Sequence, residues 1–234
     1  MERLRSNCAK LLFIDHLILR EALAEFLGTA ILIIIGDGCV AQKILSHNSA
    51  GNAVTVYIGW GIAVSLGVYI SGGITGGHIN PAISLAMCML GRLNWAKLPI
   101  YMLSQYTGAF VGAAIVFAVY FDGINHYDGG TRSVEGLNAT AAIFATYPQA
   151  YLTISGGLED QIVGTMILSC CVLAITDNRN MAVRKDLIPV LVGLVVVGVG
   201  SAYGFNCGYA INPARDLGPR LFTLVAGWGT GVFR

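Results

Sequence analysis

Long apolar stretches, separated by short polar connections, dominate the pattern of side chains along this chain. A helix needs about 20 largely apolar residues to cross a hydrocarbon core about 30 Å thick. Five segments meet this requirement. They are residues 22–42, 54–71, 98–121, 160–177 and 187–205. The pattern therefore predicts an all-α membrane protein that follows a polar N-terminal segment over residues 1–20.

Two further apolar segments, 81–90 and 213–224, are too short to span a membrane. Each would form a helix of only about 15 Å, roughly half the hydrocarbon core. Each begins at an Asn-Pro-Ala tripeptide. The tripeptides are Asn80, Pro81, Ala82 and Asn212, Pro213, Ala214. Asparagine suits the N-cap and proline the first helical position, so we expect two half-length helices whose asparagine NH₂ groups face outward as donors.

A glycine-rich run precedes the first tripeptide. Its glycines are Gly72, Gly73, Gly76 and Gly77. Because glycine tolerates backbone conformations that other residues avoid, we expect a loop here that exposes its carbonyl groups as acceptors.

The chain repeats itself in the second half. EFLGTAILI from Glu25 is echoed by QIVGTMILS from Gln161, and an INPA follows 55 positions after Glu25 and 51 after Gln161. Three spans separate the start of one copy from the start of the next, so the copies enter the membrane from opposite faces. We assign the first repeat to about 21–121 and the second to about 158–234. Interrupted helices at matching positions imply a water-filled cavity at the midplane, whereas the alternative is two ordinary caps on buried helices.

The distribution of basic residues predicts orientation. Nine of the fourteen Lys and Arg lie at the N-terminus or in the 91–97 and 178–186 connections. This bias places the N-terminus and both connections on the cytoplasmic side. The 122–157 connection then faces outward, where the sequon at Asn138 can be glycosylated, as in a plasma-membrane protein.

Composition excludes several other classes. Hydrophobic residues make up 55% of the 234 positions and charged residues 12%, and the mean hydropathy is +0.68. A net charge of +1 leaves no basic footprint for nucleic acid. The cysteines and histidines lack metal-ligand spacing, and no nucleophile, base and orienting group occur together. We therefore expect no enzyme activity, no metal and no cofactor.

The paired HINPA and INPARD motifs, the EFLGT-type starts and the order of spans resemble the aquaporin (major intrinsic protein) family over residues 20–233. The resemblance implies an aquaporin-like inverted-repeat helical bundle over residues 21–234, with one pore per subunit in a homotetramer within the lipid bilayer. No sixth full span follows the second half-helix, so we expect part of the bundle wall to face lipid.

The resemblance also implies an outer constriction, or selectivity filter, formed by four residues. They are Trp60, Gly200, Tyr209 and Arg215. Arg215 opposes the dipole of its own helix, which favours a guanidinium that acts on solutes over a purely structural one. A glycine at 200 leaves room for the phenol of Tyr209, so we expect Tyr209 and Trp60 to form an apolar corner opposite Arg215, suited to a polyol.

Four other polar residues are assigned to the scaffold of the pore loops. Glu25 and Gln161 lie within spans and are expected to hold loop backbone. Asp216, which follows Arg215 as in the aquaglyceroporin branch, is expected to pair with Arg220. His78 is expected to bond the neighbouring loop, with pH gating as the alternative.

These observations predict a passive channel for glycerol and other small neutral solutes, with urea as a further candidate, together with water. Half-helix dipoles and Arg215 would exclude ions and protons. The alternatives are a mainly water-selective channel and a non-conducting membrane scaffold.

Overall fold

The computed structural model describes residues 14–233, and these fold into helices joined by short connections. The helices are α1 (Leu17–Leu45), α2 (Ala53–Thr75), α3 (Pro81–Met89), α4 (Leu98–Val119), α5 (Phe121–Asp128), α6 (Ile154–Ile175), α7 (Ile188–Cys207) and α8 (Pro213–Thr223). Within the described residues, five helices are long and apolar enough to cross a membrane, namely α1, α2, α4, α6 and α7. The predicted all-α membrane fold is confirmed, and α3 and α8 have the predicted half length.

The observed bounds differ most from the predicted ones at three places, the starts of α1 and α6 and the end of α2. Helix α1 begins at Leu17, which lies within the predicted N-terminal segment 1–20. Residues 1–13 of that segment lie outside the described part of the chain. Helix α2 continues to Thr75, so Gly72 and Gly73 are helical and the expectation that they belong to a loop was wrong. A glycine costs a helix only about 1 kcal/mol relative to alanine, so the long apolar α2 continues through both positions. The helix stops only at Gly76, whose φ of 89° is left-handed.

Side-chain caps fix where the second and sixth helices begin. The carboxamide of Asn52 accepts from the backbone N–H of Val54 and of Thr55, and the Thr55 hydroxyl accepts from the backbone N–H of Asn52. Helix α6 begins after Thr153, whose hydroxyl accepts from the backbone N–H of Gly156. Both caps supply partners for N–H groups that a helix leaves unpaired at its start.

Helix α1 packs between α2 and α4, α2 packs on α7, and α4 packs on α8. Small residues allow these close approaches, as is usual between membrane helices. A Cβ on Gly61 of α2 would lie 2.7 Å from the carbonyl oxygen of Gly193 in α7. A Cβ on Gly108 of α4 would lie 2.3 Å from the carbonyl oxygen of Phe26. The two repeats are thereby held close along α2 and α7.

The 122–157 connection is folded. It contains α5 and a 3₁₀ turn, Ala141–Ile143, that packs against α1. Asp128 ties the connection together, since it accepts from Arg132 at 2.7 Å and from the hydroxyl of Thr140 at 3.1 Å. Asn138, the predicted glycosylation site, is exposed, whereas Thr140 of the same sequon is fully buried.

Candidate functional site

The half-helices α3 and α8 both begin at the centre of the bundle. The side-chain oxygen of Asn80 accepts from the backbone N–H of Ala82 at 2.9 Å. That of Asn212 accepts from the N–H groups of Ala214 and Arg215 at 3.0 and 3.2 Å. Pro81 and Pro213 occupy the first helical positions, where no N–H is required. The side-chain oxygen of each asparagine therefore caps its own helix.

The NH₂ groups of these asparagines cross between the two repeats. Asn80 donates to the carbonyl of Ile211 at 3.0 Å, and Asn212 donates to the carbonyl of Ile79 at 2.8 Å. The expectation that both amides face outward needs correction, because one hydrogen of each is used internally. An NH₂ group has two donors, so one donor per asparagine remains for a solute.

Ile79 and Ile211, immediately before the asparagines, adopt left-handed backbone conformations with φ of 42° and 39°. This conformation is strained for a β-branched residue and costs on the order of 1–3 kcal/mol. Both backbone groups of each residue are bonded: the N–H of Ile79 to Glu25 at 2.7 Å, the N–H of Ile211 to Gln161 at 3.1 Å, and the carbonyls to the opposite asparagines. These bonds hold the strained turns that aim both half-helices at the centre.

Glu25 is fully buried and holds the loop before α3. Besides the bond from the N–H of Ile79, its carboxylate accepts from the backbone N–H of His78 at 3.1 Å. It also accepts from the hydroxyl of Thr75 at 2.5 Å and from the side-chain amide of Gln105 at 2.8 Å. The ring of His78 lies 3.1 Å, from Nδ1 to Oγ, from Ser84 on α3. Glu25 therefore holds the backbone of this loop, whereas His78 contacts α3 and also lines a cavity at the centre of the bundle.

Gln161 holds the matching loop of the second repeat. Besides accepting from Ile211, it donates to the sulfur of Cys207 at 2.9 Å, and the Cys207 thiol donates to Asp160 at 2.8 Å. Cys207 is buried and is the last residue of α7. Its thiol is therefore occupied within the scaffold.

Two cavities meet at three of the four predicted filter residues. The central cavity, of about 80 Å³, is lined by Asn80 and Asn212 and, among others, by Met87 and Ile188. The outer cavity, of about 200 Å³, is lined by Lys43, Tyr57 and Tyr147 among others. Trp60, Tyr209 and Arg215 are the residues common to both linings. These three residues therefore form a boundary between the two cavities, which we call the constriction.

Arg215 is buried and stacks on Trp60, with the guanidinium carbon 4.0 Å from the ring centroid. The expectation that Trp60 lies opposite Arg215 was therefore wrong, because a cation–π contact brings the two together. Arg215 also donates to the carbonyl of Phe144 at 3.4 Å. The stack fixes the guanidinium at the edge of the constriction.

Gly200 lies behind the phenol of Tyr209. A Cβ on Gly200 would lie 2.8 Å from the ring carbon that carries the hydroxyl of Tyr209. The absence of a side chain at 200 is thus what admits the tyrosine. Tyr57 supports the same ring from the outer cavity, with ring centroids 5.7 Å apart.

Asp216 and Arg220 form the expected i, i+4 pair at 2.5 Å. Asp216 also accepts from the backbone N–H and hydroxyl of Thr146, at 3.0 and 2.8 Å. Arg220 donates to the carbonyls of Thr146 and Val232. The pair connects α8 to the 122–157 connection. Arg220 also lies over the ring of Tyr147, and burial raises the pKa of that phenol, which stays protonated at neutral pH.

Sequence reasoning missed Ile79, Ile211 and Phe144. Their common role is to offer backbone carbonyls, which any residue carries. The two isoleucines have a usable signal, because they stand directly before the asparagines at matching positions of the repeat. Phe144 has none, since it lies in an irregular connection. Within residues 14–233, no three His, Cys, Asp or Glu side chains group as metal ligands would.

The chain is similar to known proteins both in sequence and in fold. Residues 13–228 match the family model described as major intrinsic protein. The chain is 56% identical over 215 residues to aquaporin-10 of Milnesium tardigradum, covering 92% of this chain and 53% of that protein, so it spans about half the length of that relative. It is 53% identical over 215 residues to aquaporin-9 of Homo sapiens, covering 92% and 73%. The X-ray structure of the aquaglyceroporin from Plasmodium falciparum superposes with a TM-score of 0.83 at 28% identity, covering 92% of this chain and 85% of that one.

Proposed function

The chain belongs to the major intrinsic protein family, and from this premise we propose that it is a passive membrane channel for glycerol and other small neutral solutes together with water. The flow is driven only by the concentration gradients of these solutes. Urea is included among them as a small neutral solute.

One observation carries the proposal: Trp60, Tyr209 and Arg215 are shared by two cavities that otherwise have separate linings. A selective channel needs a narrow constriction. It also needs a cavity on each side of the constriction to receive the solute. The polar groups are few and convergent, while most of the central lining is aliphatic, as at Val64, Val68 and Leu168. Such a lining suits a solute with a hydrocarbon edge and a hydroxylated edge.

The constriction favours a polyol over a larger or charged solute. The rings of Trp60 and Tyr209 offer apolar surface to carbon atoms, and Arg215 offers donors to hydroxyl oxygens. Further in, the free donors of Asn80 and Asn212 take over this role.

Cations and protons are excluded by positive potential. The N-terminal ends of α3 and α8 both lie at the central cavity, and each contributes the positive end of a helix dipole. Arg215 adds a full charge. A dehydrated cation meets no compensating acceptor of opposite charge along this lining.

The protein is an integral membrane protein, and we assign it to the plasma membrane with its N-terminus on the cytoplasmic side. This orientation follows from the basic 91–97 and 178–186 connections and from the exposed Asn138 on the opposite side. A homotetramer is proposed by resemblance to the family.

Osmotic swelling of proteoliposomes tests the proposal. Vesicles that contain the protein are expected to swell in an inward glycerol gradient faster than empty vesicles, and to shrink in sucrose as water leaves. Fast water flux with glycerol flux no greater than that of bare lipid indicates a water-selective channel. Absence of both fluxes indicates a non-conducting scaffold.

A further inference from the structure

The lining of the outer cavity contains two cationic side chains and no acidic one. Lys43, in the last turn of α1, lines this cavity together with Arg215 of α8. The two residues come from different repeats and reach the same space of about 200 Å³. A cleft lined by charges of one sign concentrates ions of the opposite sign. The outer cavity therefore has the electrostatic character of an anion site.

Neither cation is neutralised by a neighbouring side chain. The salt bridges within residues 14–233 use other cations, namely Lys97, Arg132, Arg179, Arg184 and Arg220. Asp216, next to Arg215 in the sequence, binds Arg220 and Thr146 and is not part of the lining. The C-terminal end of α1 suits a cation, but its dipole supplies only about half a negative charge. A net positive charge therefore remains in the cavity.

Both cations offer N–H donors to a ligand. The guanidinium of Arg215 carries five donors in a planar fork, and one of them is directed at the carbonyl of Phe144 at 3.4 Å. Lys43 is partly buried, and its ammonium carries three donors. The hydroxyl of Tyr57 adds a neutral donor to the same lining. A planar fork with a second cation nearby matches the two oxygens of a carboxylate.

The rest of the lining fits a short carbon chain. Val40, Val56 and Phe205 are apolar, and Trp60 and Tyr209 add the rings that the outer cavity shares with the central one. Drug-sized ligands need a cavity of about 300 Å³ or more, so this smaller space suits a molecule of only a few carbon atoms. A carboxylate on a short hydroxylated chain satisfies both the charge and the size of the site.

We propose that the outer cavity binds a small hydroxylated carboxylate between Lys43 and Arg215, and that the bound anion obstructs the entry of neutral solutes into the constriction. The carboxylate accepts from the guanidinium of Arg215, and the ammonium of Lys43 is the second cation of the site. A neutral molecule of the same shape gains neither of these charge-assisted bonds. The site itself stands on the cavity and its charges, whereas its effect on flux rests on the proposed channel function.

Glycerate is the probe, because it has the three-carbon chain of glycerol with a carboxylate at one end. Its amide, glyceramide, is the neutral match, and aminopropanediol is the cationic one. Uptake of labelled glycerol into proteoliposomes is measured with each competitor at equal concentration on both sides and at constant ionic strength. In wild type, the half-inhibiting concentration of glycerate should be at least about tenfold lower than that of glyceramide. Aminopropanediol should inhibit least.

Lys43→Gln removes one of the two cations of the site. The half-inhibiting concentration of glycerate, measured against the uninhibited flux of the same variant, should rise on the order of tenfold, while that of glyceramide stays the same. Lys43→Arg keeps the charge and should keep the value of wild type. Lys185→Gln is the matched control, because it removes the same charge from an exposed residue of the 178–186 connection. It should leave all three inhibition values at those of wild type.

Equal inhibition by glycerate and glyceramide in wild-type vesicles that conduct glycerol, including no inhibition by either, would overturn the inference. The same change of glycerate inhibition in Lys43→Gln and Lys185→Gln would also overturn it. If Lys43→Gln does not fold, as judged by size-exclusion chromatography, the comparison of competitors in wild type decides alone. Equilibrium dialysis of labelled glycerate against the protein in detergent reports binding without flux. Binding in a wild-type protein that does not conduct glycerol is a failure of the proposed function and not of the site.

Discussion

Asn80 and Asn212 are linked reciprocally: each donates from its side-chain amide to the carbonyl of the isoleucine that precedes the other. The two half-helices therefore meet through side chain to backbone bonds and not through packing alone. Each asparagine caps its own helix and at the same time closes the turn that starts the other.

Removing either asparagine should destabilise both turns. Asn80→Ala and Asn212→Ala each leave a buried carbonyl unpaired and remove a cap, at an expected cost of about 1–3 kcal/mol in the free energy of unfolding. Because the two bonds belong to one unit, the double variant should cost less than the sum of the single ones. Unfolding in mixed detergent measures this coupling, and strictly additive effects would contradict it.

Exchange of the filter residues should change selectivity. Gly200→His with Tyr209→Cys replaces an apolar ring by a bulky polar one at the constriction, so glycerol flux should fall more than water flux. Gly200→Ala alone should also reduce glycerol flux several-fold, since its Cβ would press on Tyr209. Gly198→Ala is the control on the same helix, because no atom lies within 4 Å of its Cβ position. Swelling assays measure the glycerol flux and the water flux of each variant. Equal losses of the two fluxes would count against the filter assignment.

Glu25→Gln should be more destabilising than its conservative nature suggests. The two carboxylate oxygens accept from Thr75, His78, Ile79 and Gln105, and an amide turns one acceptor into a donor that faces other donors. We expect a cost of about 1–3 kcal/mol in the free energy of unfolding.

Glu21→Gln, one turn earlier on α1, is the control for that measurement. Glu21 is also buried but accepts from two side chains, Lys97 at 2.8 Å and Tyr101 at 3.2 Å, so the same substitution there should cost less than at Glu25. Similar costs at the two positions would show that the bonds of Glu25 contribute little.

Gly108→Ala should disturb the packing of α4 on α1. The added methyl group would approach the carbonyl oxygen of Phe26 to 2.3 Å, which requires the helices to separate. The expected cost is about 1–3 kcal/mol in the free energy of unfolding. Gly73→Ala, in open space on α2, should be neutral or slightly stabilising. A thermal melt of both variants that gave the same midpoint would exclude the close contact.

Glycosylation at Asn138 should occur only before the outer connection folds. Thr140 is fully buried and its hydroxyl donates to Asp128, so the sequon cannot be read in the folded state. Translation with microsomes present should give a glycosidase-sensitive mass shift that Asn138→Gln removes. Microsomal enzyme added to the folded protein should give none, and a shift at that stage would show that the sequon remains accessible.

The sequence predicted the spans and half-helices well because apolar length and the Asn-Pro start are local signals. It also predicted that glycine at 200 makes room for Tyr209, since this is a matter of volume. It failed at Gly72 and Gly73, because a glycine costs a helix only about 1 kcal/mol and does not by itself end a long apolar helix. It also failed to place Trp60 under Arg215, because that contact joins residues 155 positions apart and depends on how α2 and α8 are set against each other.

The outer connection was the least predictable part. Its order comes from Asp128, Arg132 and Thr140, whose pairing depends on a compact fold and leaves no periodic pattern in the sequence. The role of the Phe144 carbonyl in holding Arg215 was equally hidden, because it is a backbone contact.

The guanidinium of Arg220 binds the carboxylate of Asp216 on its own helix. It also donates to the carbonyls of Thr146 and Val232, which lie in two other parts of the chain. Asp216 is adjacent to Arg215, so Arg220 links the chain around Thr146 and Val232 to the residue next to the constriction. A protein that binds and shifts the chain around Thr146 or Val232 is therefore expected to change permeability without entering the path that solutes take.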